Sequence, residues 1–110
     1  LRDSLLVVLG PGWQKTSYSN QGNASQTNTL FFRASLFSLR GQSVVSSALR
    51  DVIAYRLAYR DTITQPHDTV TLTVIVCHLK AGQTSSDMSD RAAEAQTIAA
   101  FLNSQPPGNI

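Results

Sequence analysis

The chain has 110 residues, of which 42% are hydrophobic and 15% charged, a composition typical of a small globular domain rather than a disordered segment. Its formal net charge is only +2 and its basic residues are scattered, so charge alone does not indicate nucleic acid binding. The single cysteine, Cys77, excludes an intrachain disulfide and a zinc site made of several thiolates. No apolar run approaches the roughly 20 residues that a membrane-spanning helix needs.

Both ends of the sequence interrupt a structural pattern. The chain starts as if within a structural element, without an initiator methionine, and it ends in a proline- and glycine-containing turn followed by the apolar Ile110. We therefore expect the sequence to be an internal piece of a larger domain.

The first elements are short. Residues 1–9 are predicted to form the last turns of a helix, which the following Gly-Pro-Gly sequence closes. A strand over 13–18 and an exposed, mobile polar loop over 19–27 come next. Two residues separate the predicted strands 29–33 and 36–40, which indicates a hairpin or one bent strand.

The second half has clearer periodicity. Residues 51–59 alternate with apolar side chains on both faces, which predicts a strand covered on both sides. Residues 69–79 predict a strand that begins at an edge and ends inside, so Cys77 is expected to be a small buried residue. After a loop over 81–86, residues 87–103 predict an amphipathic helix. Its apolar face contains Met88, Ala92, Ala95, Ile98, Ala99 and Leu102. This order favours a sheet with helices packed outside it.

His78 is the first candidate for a functional residue, because it lies where the buried strand gives way to a glycine-containing loop. The competing interpretation is a histidine that is satisfied locally at a strand end. Arg50 precedes the strand over 51–59, so its guanidinium group reaches the same sheet edge as His78 if the two strands are neighbours. Lys80 is likewise a candidate phosphate contact, and for Arg50 and Lys80 the competing interpretation is an ordinary solvated cation. The other histidine, His67, is predicted to lie in a surface turn.

Several catalytic classes lack their motifs in this sequence. There is one glutamate, Glu94, and the aspartates form no close pair at a strand end. No glycine-rich phosphate loop, HExxH or GxSxG motif occurs, which argues against Walker-type ATPases, zincins and serine hydrolases. A hard divalent cation needs two or more oxygen ligands, and we assign no metal ligand within this chain.

One family shares the order of these elements. The segment 74–82, a buried strand ending in His78 and Leu79, is followed by a polar loop and a helix with Arg91 near its start. This arrangement resembles the endonuclease/exonuclease/phosphatase superfamily. The segment 49–55 is similar to that family's strand preceded by a phosphate-facing arginine, and 28–33 resembles its earlier strand. The match covers most of the chain in order.

The resemblance implies an α+β or α/β fold, namely part of a four-layer α/β sandwich with mainly antiparallel strands, of which residues 1–110 form one partial domain. It also implies hydrolysis of a phosphoester by a water molecule activated by Mg²⁺ or Mn²⁺. Carried over by position, His78 and Arg50 are the residues that contact the phosphoryl oxygens. The family's metal-binding residues have no counterpart in this chain, so we expect the isolated piece to be inactive. The implied partner is a nucleic acid or a small phosphodiester.

Two other interpretations remain at this point. A β-rich binding module would present the loop 19–27, Trp13 and Tyr18 to a sugar, peptide or nucleic acid, without catalysis. A small α+β domain with no site would use His78 only as a capped strand end. The polar composition also hints at a secreted or surface bacterial protein.

Overall fold

The computed structural model of the chain describes residues 2–19, 27–60 and 70–107, which form two helices and five strands. In chain order these are α1 (Arg2–Leu9), β1 (Trp13–Lys15), β2 (Phe31–Arg33), β3 (Phe37–Ser46), β4 (Val52–Tyr59), β5 (Thr71–Val76) and α2 (Ser85–Ser104). β1 and β2 form a two-stranded antiparallel sheet, and β3, β4 and β5 form a three-stranded antiparallel sheet in that order. The predicted α+β class is therefore confirmed at this level.

β4 is the core of the molecule. Every residue of this strand is buried except Arg56 and Tyr59, which confirms that both of its faces are covered. Tyr55 is on one face of β4 and lies near Thr16. Its neighbour on β3 is Gln42, whose side-chain amide donates to the backbone oxygen of Ser17 at 3.4 Å. The other face carries Ala54 and Arg56, and α2 lies over it.

The segments 29–33 and 36–40 do not form a hairpin, and they are not one bent strand. A turn after Arg33, closed by the amide of Leu36 donating to its backbone oxygen at 3.1 Å, directs the chain from the small sheet into the large one. β2 pairs with β1, whereas β3 pairs with β4 and extends to Ser46. The prediction was wrong because nearness in sequence favours pairing of the two segments with each other. In the structure β3 pairs instead with β4, which is buried between β3 and β5.

α2 begins at a capping box. The Thr84 hydroxyl accepts from the backbone amide of Asp87 at 3.1 Å, and the Asp87 carboxylate accepts from the Thr84 amide at 3.2 Å. The predicted helix is confirmed within two residues at its start and one at its end. The predicted apolar face is only partly inward, because Ile98 and Leu102 are half-buried whereas Met88, Ala92, Ala95 and Ala99 are exposed. The buried residue of α2 is Glu94.

Three other expectations need correction. The first and fifth strands are shorter than predicted, since β1 ends at Lys15 and β5 spans only Thr71–Val76. Cys77 is exposed, because β5 has ended before it and, among the described residues, has a strand neighbour on one side only. In the loop predicted over 19–27, Ser19 is buried and bridges to Asn28. Residues 20–26 of that loop, and the turn containing His67, lie outside the described residues.

α1 confirms the predicted helix end, and Gly10 follows it with a φ of +94°, a backbone conformation that glycine adopts without strain. The helix joins β1 through an ion pair between Asp3 and Lys15, with 2.7 Å between Oδ1 and Nζ. Within the described part of the chain, neither helix combines the length and apolar character required to cross a membrane.

Tyr55 provides a test of the core. Its side chain is fully buried, burial raises the pKa of its hydroxyl, and that hydroxyl has no well-aligned hydrogen-bond partner among the described residues. Removing an unsatisfied buried hydroxyl relieves a desolvation penalty, so we expect Tyr55→Phe to leave the free energy of unfolding unchanged or raise it by up to about 1 kcal/mol. Urea denaturation measures this change. The control, Tyr59→Phe at an exposed ring, is expected to have no effect. A loss above about 1 kcal/mol at Tyr55 would show that the hydroxyl is bonded.

Candidate functional site

The candidate site lies at the edge of the large sheet where β4 begins and β5 ends. The strands are antiparallel neighbours, with Ile53 opposite Val76 at the last pair of the ladder. The residues before β4 and after β5 therefore leave the sheet at the same edge. The structure brings Arg50 and the segment that carries His78 together there, which is the neighbour relation on which the sequence argument depended.

The two side chains differ in how they are held. His78 is exposed and has no hydrogen bond to any other described residue. Arg50 is half-buried, and its Nη1 donates to the backbone oxygen of Leu79 at 3.4 Å. A guanidinium group has five N–H donors in a fixed plane, so one contact anchors the group and leaves others available to an anion.

The segment after β5 is held by side chains of α2. Arg91 Nη1 donates to the backbone oxygens of Lys80 at 2.9 Å and Gly82 at 2.7 Å. Oε2 of Glu94 accepts from the backbone amide of Lys80 at 3.2 Å. The ammonium group of Lys80 is part-exposed and lies 3.9 Å from Oδ1 of Asp87. The Lys80 ammonium group therefore lies near Asp87, at the start of α2.

The other side of the edge is fixed by Asp51, which directly follows Arg50. Asp51 is buried, and its carboxylate accepts from the hydroxyl of Ser19. The side-chain amide of Asn28 donates to the backbone oxygen of Asp51. Ser19 and Asn28 also bond each other through their backbones, at 3.0 Å in both directions. The base of the polar loop is thus anchored to the residue next to Arg50.

Asp87 links the start of α2 to this edge. The pKa of its carboxyl group is lowered from 3.8, first by the hydrogen bond from the Thr84 hydroxyl at 2.7 Å and then by the bond from the Thr84 amide. Lys80 and Arg91 lower this pKa further through their charges. The carboxylate is therefore ionised at neutral pH and balances part of the positive charge at the edge.

The residues present do not make a metal site by themselves. Among residues 2–19, 27–60 and 70–107, no group of three or more His, Cys, Asp or Glu side chains is placed to hold an ion. The nearby carboxylates of Asp51, Asp87 and Glu94 are each engaged in a hydrogen bond within the protein. A divalent cation implied by the family resemblance would therefore need further oxygen ligands.

Sequence reasoning missed the structural role of three residues. Arg91 entered only as part of a family pattern, and Asp51 and Glu94 were treated as isolated acids. For Arg91 and Glu94 the available signal was a charged pair at positions i and i+3 in the first half of the helix, which places both side chains on one face. A separate cavity of about 320 Å³ lies farther along the sheet, between Phe101 of α2 and Thr73 of β5.

Comparisons of the chain with protein-family models, curated proteins and solved structures found no match.

The capping box predicts a measurable change in the titration of Asp87. Thr84→Ala removes the hydroxyl that binds both the amide and the carboxylate of Asp87, so the pKa of Asp87 rises toward 3.8. Carbon-detected NMR titration of the carboxyl group measures this shift. A lowered pKa in the folded state stabilises the protein above the unfolded value, and that contribution is lost as pH falls through the folded pKa. The difference in free energy of unfolding between the unmodified protein and Thr84→Ala therefore becomes smaller in acid.

The same variant loses the N-cap of α2, which lowers the free energy of unfolding by about 1 kcal/mol at neutral pH. Thr97→Ala is the matched control, because Thr97 lies in the exposed interior of the same helix and alanine has the higher helix propensity there. We expect this control to be neutral or slightly stabilising. Equal destabilisation by both substitutions would contradict the assigned cap.

Gly82 is required by two features of the loop. Its φ is +114°, and a Cβ atom built on it would collide with the Asp87 carboxylate. Gly82→Ala is therefore expected to lower the free energy of unfolding by about 1–3 kcal/mol, measured by urea denaturation. Gly12→Ala is the control, because a Cβ at Gly12 would meet no atom within 4 Å and its φ is ordinary. A neutral Gly82→Ala would show that the loop has a different conformation.

Proposed function

We propose that this chain is the phosphate-contacting portion of a divalent-metal-dependent phosphoesterase, a nuclease or phosphatase of the endonuclease/exonuclease/phosphatase type. The observation that carries the proposal is the position of Arg50 against the Leu79 oxygen, with an exposed His78 one residue away on the same sheet edge. The resemblance assigns phosphate contacts to these two residues. The three-stranded sheet with α2 on one face would then be part of a larger four-layer sandwich.

The chemistry of the two side chains suits this assignment. A phosphodiester carries negative charge on its nonbridging oxygens, and this charge builds as a nucleophile attacks. The guanidinium group of Arg50 stays charged and offers directed N–H donors, and the imidazole of His78 can donate from an exposed position. Donors held in place before the reaction stabilise the developing charge without reorganisation. No cluster among the described residues supplies ligands for the metal, so the proposed contribution of this chain is limited to contacts with the phosphoryl group.

The binding-module alternative has less support from contacts. The guanidinium of Arg33 lies 5.8 Å from the centre of the Trp13 ring. Tyr18 has Lys15 over its ring at 4.1 Å, and its hydroxyl donates to Asp3 at 3.3 Å. These internal contacts reduce the aromatic surface that a ligand would use.

The test is hydrolysis of a single-stranded oligonucleotide and of bis(p-nitrophenyl) phosphate, with Mg²⁺ or Mn²⁺. The 110-residue chain is compared with the complete open reading frame that contains it. We expect turnover only in the longer protein. Removing one preorganised donor typically lowers kcat by about 100- to 1,000-fold, which is the loss expected for His78→Ala and for Arg50→Ala.

Arg40→Ala is the matched control, because Arg40 is an exposed arginine on β3 with no hydrogen bond or ion pair to the described residues. Its kcat should remain within about twofold of the unmodified protein. Absence of turnover in the longer protein with both metals and both substrates would contradict the proposed function. Turnover that survives His78→Ala and Arg50→Ala would contradict the assignment of these residues.

A further inference from the structure

The backbone of Lys80 is bound on both of its polar groups by two side chains of α2. Its amide donates to Glu94 and its carbonyl oxygen accepts from Arg91, at 3.2 and 2.9 Å. β5 has already ended at Val76, so these peptide groups have no strand partner among the described residues. Residues three apart on a helix share a face, which allows Arg91 and Glu94 to act together. We call this pair the Lys80 clamp.

Arg50 holds the other edge of the same peptide unit. The Leu79 oxygen, which accepts from Arg50, and the Lys80 amide, which donates to Glu94, belong to one planar trans peptide group. Its oxygen and its hydrogen point in opposite directions, so the two side chains approach from opposite sides. The Lys80 clamp therefore acts on the peptide that Arg50 contacts, and this peptide lies between His78 and the Lys80 side chain.

Glu94 is an energetically unfavourable residue at this position. Its side chain is buried, with 4% of the residue exposed, and Oε1 has no hydrogen-bond partner among the described residues. Burial of a carboxylate is unfavourable unless its oxygens are bonded, and here one oxygen carries the only contact. An apolar residue would pack at less cost but would leave the Lys80 amide without an acceptor. The distinctive contribution of Glu94 is thus the position of the Lys80 peptide.

We propose that Glu94, with Arg91, is a positioning residue for the phosphate-contacting edge, which sets the placement of His78 and Lys80 through the Leu79–Lys80 peptide. The consequence for catalysis rests on the proposed function. The clamp itself is a property of the folded chain, so the two are tested separately. Displacement of a reacting group by about 1 Å is enough to lower a rate about 100-fold.

The first experiment measures amide hydrogen exchange by NMR in the unmodified complete open reading frame. The Lys80 amide is bonded to a buried carboxylate, whereas the Ala81 amide has no acceptor among the described residues. We expect exchange at Lys80 to be at least 10-fold slower than its intrinsic rate, and exchange at Ala81 to be near its intrinsic rate. An unprotected Lys80 amide would overturn the proposal without any substitution.

The second experiment compares Glu94→Gln with Glu94→Ala in the complete open reading frame. Glutamine keeps a carbonyl acceptor for the Lys80 amide, and its NH₂ group takes the place of the unbonded oxygen. We expect Glu94→Gln to retain kcat within about threefold, and Glu94→Ala to lower kcat by about 10- to 100-fold with little change in KM. Gln96→Ala, at an exposed site of the same helix, is the control and should retain full kcat.

Rates are expressed per folded molecule, at a temperature where circular dichroism shows each variant fully folded. A positioning effect also shifts the His78 ring resonances in Glu94→Ala while leaving the Trp13 indole resonance in place. Equal kcat values for Glu94→Ala and the unmodified protein would overturn the positioning role. No turnover by the unmodified longer protein, together with a protected Lys80 amide, would instead contradict the proposed function and would still support the Lys80 clamp.

Discussion

Burial of β4 on both faces is the constraint on which the rest of this structure depends. Six of the seven buried hydrophobic residues in the described part of the chain belong to this strand, and the other is Phe32 of the small sheet. A strand covered on both sides cannot slip by one residue without moving every side chain to the opposite face, so its register with β3 and β5 is strongly specified. The pairing of Ile53 with Val76 then determines which residues meet at the sheet edge. The proximity of Arg50 to Leu79 is thus a consequence of core packing.

The sheet edge also shows how irregular backbone is stabilised beside a short strand. Once β5 ends, its continuation loses the ladder that satisfied its peptide groups, and unpaired buried groups are costly. Side chains replace that ladder, from Arg50 on one side and from the Lys80 clamp on the other. Arginine suits this role because its guanidinium group has several N–H donors in a fixed plane, so one side chain can bind two backbone oxygens, as Arg91 does. The segment that carries His78 is therefore ordered without being part of the sheet.

The sequence predicted the elements with the strongest periodicity and much less of their arrangement. β4 and α2 were found because alternation and helical spacing are local signals, as was the helix end at Gly10. The pairing of β2 was missed, because the choice between a local hairpin and a second sheet depends on burial elsewhere in the molecule. The sequence predicted that His78 and Arg50 lie at one edge only on the assumption that their two strands are neighbours. Asp51 could not be recognised, because its partners Ser19 and Asn28 are far from it in sequence.

The orientation of α2 shows why a hydrophobic pattern alone gave only part of the inward face. Turning Met88 and the alanines inward would bury one large side chain, worth about 1.5–3 kcal/mol, and several methyl groups, each worth about 0.8. It would also remove the side-chain partners of the part-buried Lys80 amide and Lys80 oxygen, at about 1–3 kcal/mol for a group left buried and unbonded, and the partner of the exposed Gly82 oxygen. The capping box also fixes the position of the first turn. Thr84 and Asp87 fix the first turn beside Gly82, and the helical period then carries Arg91 and Glu94 to the sheet edge.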